Sequence, residues 1–168
     1  HWLDKKYLEI PEENFMQVDF SKDFKLEKKF DLAISLEVAK HLSEEDASSF
    51  VKNLTNSSDI VLFSAAIPKQ RGACHINEQW PEYWFIHFKE NGFIPVDAIR
   101  PHIWSDPKIK GWYKQNTILI IREEKANNYP LIESLIDKNK TMWSVVHPET
   151  FLRQVEISDP KHSSLARV

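Results

Sequence analysis

The stretch Phe30-Asp31-Leu32-Ala33-Ile34-Ser35-Leu36-Glu37-Val38-Ala39-Lys40-His41-Leu42 decides how the chain is read. Leu32 to Leu36 is a short apolar run of the kind found in strands buried on both faces. Behind it come a carboxylate and an imidazole, and the carboxyl ends of strands are where open α/β sheets bind ligands. One helix length later, Asp59-Ile60-Val61-Leu62-Phe63-Ser64 repeats the apolar pattern and runs into Ala65-Ala66-Ile67-Pro68. That order implies two parallel strands around a crossover helix.

The intervening segment carries helix signals. Ser43 is a good N-cap, Asp46 stands at the capping-box position, and Ala47, Phe50, Val51 and Leu54 recur at helical spacing, with Asn53 to Ser58 as the turn. Upstream, Asn14-Phe15-Met16-Gln17-Val18-Asp19-Phe20 alternates apolar and polar residues and reads as a strand ending at Asp19. Downstream of a long polar segment, Pro81 opens a helix to about Asn91 that Gly92 closes. Phe93 to Ile99 and Thr117 to Ile121 read as two more strands, linked by an aromatic segment with Trp104, Trp112 and Tyr113. Pro130 to Lys138 is a last helix, and little beyond His147 specifies structure.

Composition narrows the function classes. The 168 residues, 42% hydrophobic, suit one core, and the net charge of -3 supplies no basic field for nucleic acid or an anionic membrane. The single Cys74 has no internal disulfide partner and no paired Cys/His spacing marks a metal site, so a reducing, cytoplasmic setting is expected, with no metal. No apolar run approaches a membrane span of about 18 residues. Only three glycines occur (Gly72, Gly92 and Gly111), far below the usual share of about 7%, and none forms a glycine-rich turn.

Asp19-Phe20, the Phe30 to Leu42 run with its Leu-Glu-Val-x-x-His core, and Val61-Leu62-Phe63-Ser64-Ala65-Ala66-Ile67-Pro68 together resemble class I S-adenosylmethionine-dependent methyltransferases, from about His1 to Glu123. The resemblance implies an α/β fold: a Rossmann-like, mostly parallel sheet with flanking helices and an antiparallel closing strand. It places the glycine-rich turn and the amino-terminal strands upstream of His1, with Asp4 a weak substitute for the family's ribose-binding acid. Residues 1–125 would be this partial domain, and 126–168 a carboxyl-terminal helix and extension.

The same resemblance implies the site. Asp19 and Phe20 would hold adenine, and Leu36, Glu37 and His41 would line the methionine part of S-adenosylmethionine. His41 or His75 would deprotonate a small-molecule acceptor, which His75, Asn77, Glu78, Gln79, Trp80 and Trp84 would bind. Lys40 departs from the family, which often has a second acid there. Each residue also has a plainer reading: Asp19 a solvated turn residue, Glu37 and His41 an i, i+4 pair supporting a helix start, and the polar loop a mobile surface segment. Cys74 reads as an inert small hydrophobe, His87 as a packing or surface residue, and Lys69 and Arg71 as weak anion contacts.

Two other classes stay open. A truncated or degenerate methyltransferase fold would act as a non-catalytic interaction module and could form homo-oligomers through exposed sheet edges. A nucleotide-binding α/β domain of another kind, such as a dehydrogenase remnant, shares the strand and helix pattern.

Overall fold

In a computed structural model, which describes residues 5–22, 24, 26–136 and 141–158, the four apolar runs after Phe30 form strands. They are β1 (Ala33–Leu36), β2 (Ile60–Ser64), β3 (Phe93–Val96) and β4 (Ile118–Arg122), in the order β1-β2-β4-β3. β1 pairs parallel to β2 with Leu36 opposite Ser64. β4 runs antiparallel to both of its neighbours, Phe63 facing Ile118 on one side and Val96 facing Leu119 on the other. The fold is thus α/β with an open mixed sheet. The antiparallel strand is present, but its position between β2 and β3 makes two of the three ladders antiparallel, which corrects the expectation of a mostly parallel sheet.

Helix α1 (Ala47–Ser57) makes the crossover, and α2 (Pro81–Glu90) packs beside it on the same face of the sheet. Phe50, Val51 and Leu54 from α1 meet Trp84 and Phe88 from α2 over Val61, Phe63, Ile118 and Ile120. Phe63 takes Phe88 edge-on at 5.2 Å, and each such buried side chain contributes about 1.5–3 kcal/mol relative to exposure. The Ser43 signal forms a turn and α1 starts after it: Ser43 Oγ donates to Asp46 Oδ2 at 2.6 Å, and Asp46 is the residue before the helix. The helix also outruns the expected turn at Asn53, whose buried amide accepts from Phe24 N–H and donates to Lys22 O, tying the upstream chain to α1.

The opposite face is covered only in part. A 3-10 segment (Glu123–Asn128) and α3 to α5 follow the later strands: α3 is Arg100–Ile103, α4 Gly111–Asn116 and α5 Pro130–Leu135. Ala126, Ile132 and Ile136 pack on Val96, Ile121, Ile60 and Ile94. Over β1 that cover stops, and Ile34 is 61% exposed, with Phe30 and Leu32 also exposed. β1 is an edge strand, so the expectation of a strand buried on both faces is corrected.

Residues 15–20 form no strand either. They run from a 3-10 turn (Glu12–Asn14) to a turn at Asp19, and among the described residues no strand pairs with them. Alternation supplies a face, but a strand in water needs a ladder partner.

Residues 148–158 form a helix, against the expectation that little beyond His147 specifies structure. Pro148 starts α6 (Pro148–Ser158), where its missing N–H costs nothing, and Trp143 just upstream packs onto the main core, edge-on to Phe85 at 5.0 Å. Asp4 and Lys138 lie outside the described residues. Among the described residues no helix is long and apolar enough to cross a membrane.

Candidate functional site

At the carboxyl end of β1, the Glu37 N–H donates to both the carbonyl and the hydroxyl of Ser64, at 2.9 and 3.0 Å. This holds the parallel ladder to its last residue. There the backbone turns sharply: Glu37 has φ +60°, a left-handed conformation that costs a side-chain-bearing residue energy. Lys69, Arg71 and Cys74, all in the loop that follows β2, are also left-handed, with φ of 68°, 58° and 59°. Strain of this kind concentrates at functional sites, and here every case among the described non-glycine residues lies after the ends of β1 and β2.

The turn buries the Glu37 carboxylate. Its Oε2 meets Lys40 Nζ at 2.9 Å and accepts from Gln70 Nε2 at 3.3 Å, while Oε1 accepts from Asn116 Nδ2 at 3.1 Å. A buried charge needs partners of this sort on its remaining lone pairs. The network continues outward. Asn116 also donates to Gln70 Oε1 at 2.9 Å, Gln115 donates to Asn116 Oδ1 at 2.7 Å, and Gln115 Oε1 accepts from the His147 N–H at 2.8 Å. Gln154 of α6 donates to the Gln70 carbonyl at 2.6 Å.

His147 fixes the start of α6. Glu149 N–H donates to its Nδ1 at 3.2 Å, so Nε2 carries the hydrogen and donates to the Trp104 carbonyl at 2.9 Å. The neighbouring buried Lys114 reaches Glu149 Oε1 at 2.7 Å, and that ammonium holds the Glu149 carboxyl below its ordinary value.

The imidazoles sit on the other side of Lys40. Its carbonyl accepts from the N–H groups of Ile76 and Asn77, which draws the loop after β2 across the turn after β1. His41, exposed, donates through Nδ1 to the Cys74 carbonyl at 3.0 Å, and its ring meets that of His75 at 5.3 Å. His75 donates through Nδ1 to Glu78 Oε1 at 2.8 Å. In its neutral form each ring, with Nδ1 donating, keeps a lone pair on Nε2. That of His75 is shielded, because its ring lies so close over Gly72 that a Cβ there would collide with Nε2. His41 is the open one of the two, and a proton acceptor has to be reachable.

The structure thus gathers Leu36, Glu37, His41, His75, Asn77, Glu78 and Gln79 around the ends of β1 and β2, with Gln79 N–H donating to Ala66 O at 3.1 Å. Asn77 is buried, with neither side-chain amide atom hydrogen-bonded among the described residues, and burial pushes the Tyr83 phenol up. Trp80, 40% exposed, caps α2. Trp84 does not join this group: it is 1% exposed and packs on Phe63 in the core. Glu37 and His41 do not form a pair, since the 3-10 turn Ala39–His41 begins after Glu37 and brings Lys40 to the carboxylate instead.

Asp19 lies apart from the network. It is exposed and accepts from both the backbone and the hydroxyl of Ser21, which together hold its carboxyl below the ordinary value. Phe20 packs edge-on to Phe50 at 5.4 Å. Among the described residues no group of three or more His, Cys, Asp and Glu side chains could hold a metal ion.

Gln70, Gln115, Asn116, His147 and Gln154 were not readable as site residues. The available signal was two adjacent amides directly before an apolar strand, together with Pro148 and the spacing of Phe151, Leu152 and Val155. Comparison with family models, curated proteins and solved structures gives no match to this chain.

Proposed function

We propose that the chain is the carboxyl-terminal part of a class I S-adenosylmethionine-dependent methyltransferase acting on a small-molecule acceptor. The observation that carries this reading is the sheet order, in which an antiparallel strand lies between β2 and β3 while strained Glu37 closes the parallel strand β1. The finer description of the sheet as part of a Rossmann-like fold belongs to the same proposal.

The residues present suit the cofactor at its amino acid end. A buried carboxylate at Glu37 matches an ammonium group, and Lys40, its present cationic partner, is the group such a ligand would displace. Asp19 is exposed and can exchange the Ser21 hydroxyl for an adenine amino group. S-adenosylmethionine would supply an activated methyl group, and positioning with removal of one proton is then most of what the protein contributes. His41 accepts that proton at Nε2, its orientation fixed by the Cys74 carbonyl. His75, fixed by Glu78 and shielded by Gly72, positions the loop and lines the acceptor side with Trp80.

Calorimetric titration with S-adenosylhomocysteine tests the reading. Saturable heat that is lost in Glu37→Leu supports it, and no heat from well-folded wild-type chain removes the cofactor assignment.

A second reading rests on a different observation. β1 is the outer strand of the sheet among the described residues, and it carries exposed Ile34, at 61%, with Phe30 and Leu32 exposed just before it, at 48% and 43%. Such an edge invites pairing with another chain, which is what a non-catalytic interaction module built on the same fold would use.

A further inference from the structure

We propose that the recess between α4 and α6 binds a small oxyanion, either free phosphate or the phosphate of a small organic ester. The inference does not rest on the methyl-transfer reading. The recess has a volume of about 120 Å3, enough to admit a small tetrahedral anion with solvent.

Its chemistry comes from three side chains. Thr150 lines the recess and is 7% exposed, and its Oγ1, buried beside Gly111, has no hydrogen-bond partner among the described residues. A buried hydroxyl left unpaired carries an unrecovered desolvation penalty, which an incoming acceptor would relieve. Lys110 and Arg153 line the same recess, and among the described residues neither has a salt-bridge partner. The Arg153 guanidinium is steered over the Trp112 ring at 5.7 Å. The one acid in the wall, Glu149, bonds Lys114 at 2.7 Å and also attracts Lys110, so with Arg153 three cations face one carboxylate and the surroundings of the recess stay net positive.

Gly111 lets α4 approach α6 closely at the wall of the recess. A Cβ at that position would come within 3.1 Å of Thr150 Oγ1 and of the Glu149 side chain. The recess is also continuous with the polar network, because Gln70, which contacts Glu37, forms part of its wall.

The test is a titration of the whole chain with inorganic phosphate, and separately with glycerol 3-phosphate, at ionic strength held constant with chloride. Thermal shift and phosphorus NMR line width are the readouts. Saturable stabilisation by phosphate and not chloride is expected. Thr150→Val, which keeps the shape and removes the hydroxyl, should weaken binding about tenfold, as should Arg153→Gln at the exposed rim. Tighter binding of glycerol 3-phosphate assigns the site to an organic ester, and equal binding assigns it to the free ion. A response that chloride reproduces, or that is unchanged in folded Arg153→Gln and Thr150→Val proteins, overturns the proposal. Because Arg153 is exposed, its variant keeps the test valid should Thr150→Val not fold.

Discussion

Asn116 donates to the buried Glu37 carboxylate at 3.1 Å across 79 residues of sequence. This bond exists because β4 is antiparallel: its first residue, Ile118, lies opposite Phe63 near the end of β2, so the residues just before it arrive at the carboxyl end of β1. Asn116→Ala should therefore destabilise the protein by about 1–3 kcal/mol, the usual cost of leaving a buried polar group short of a partner. Glu37→Gln should cost less than Glu37→Leu, which strands Lys40, Gln70 and Asn116 together. Chemical denaturation of the three variants measures this, and no loss in Asn116→Ala would mean that water replaces the amide freely.

Asp59 links the two ends of the sheet's loops. It accepts from Lys29 Nζ at 2.8 Å and from Arg122 Nε at 2.6 Å, and these bonds, that from Lys29 first, hold its carboxyl below the ordinary 3.8. A lowered folded-state pKa gives stability that is fully present above the unfolded value and is lost as pH falls through the folded one. Asp59→Asn should thus flatten the acid limb of a stability-against-pH curve while leaving its shape near neutrality unchanged. An acid limb as steep as that of the wild type would show that other carboxylates dominate.

Phe88 is completely buried between α2 and the sheet. Replacing it with Ala should cost about 3–5 kcal/mol through lost transfer energy and the cavity left behind. Urea midpoints for wild type and variant give the value directly.

His147→Phe tests how α6 is held. The substitution retains a ring against Trp104, now 4.7 Å away, but removes the bonds to the Trp104 carbonyl and the Glu149 N–H. Amide hydrogen exchange should speed up in residues 148–158 while staying slow in β2 and β4. Uniform acceleration across the chain would instead mark His147 as a global stability residue.

Ile34→Lys places a charge on the exposed face of edge strand β1. It should leave the unfolding midpoint within about 0.5 kcal/mol of wild type, as surface changes generally do. If the edge mediates association, light scattering at high concentration should show less of it in the variant. Equal scattering by both proteins counts against the edge.

Local sequence carried the elements. The apolar runs at 32–36, 59–64, 93–99 and 117–121 each became a strand, and Pro81 and Gly92 bracketed a helix, because burial, fixed φ and missing donors act within a few residues. Residues 15–20 show where this fails, since their alternation was real but no neighbouring strand was there to accept it. Glu37, His41, His75 and Glu78 could be picked out as chemistry-bearing because they follow strands or sit in a long polar loop.

What the sequence determined alone was therefore the four strands, α1 and α2, and the end of the sheet at which polar side chains collect. The tertiary structure decided which distant side chains meet: Asn116 and Gln70 behind the Glu37 carboxylate, and α6 tied over them. The reason is distance along the chain. A partner three residues away is set by local backbone geometry, whereas one 79 residues away is set by strand order and direction, which no local pattern encodes.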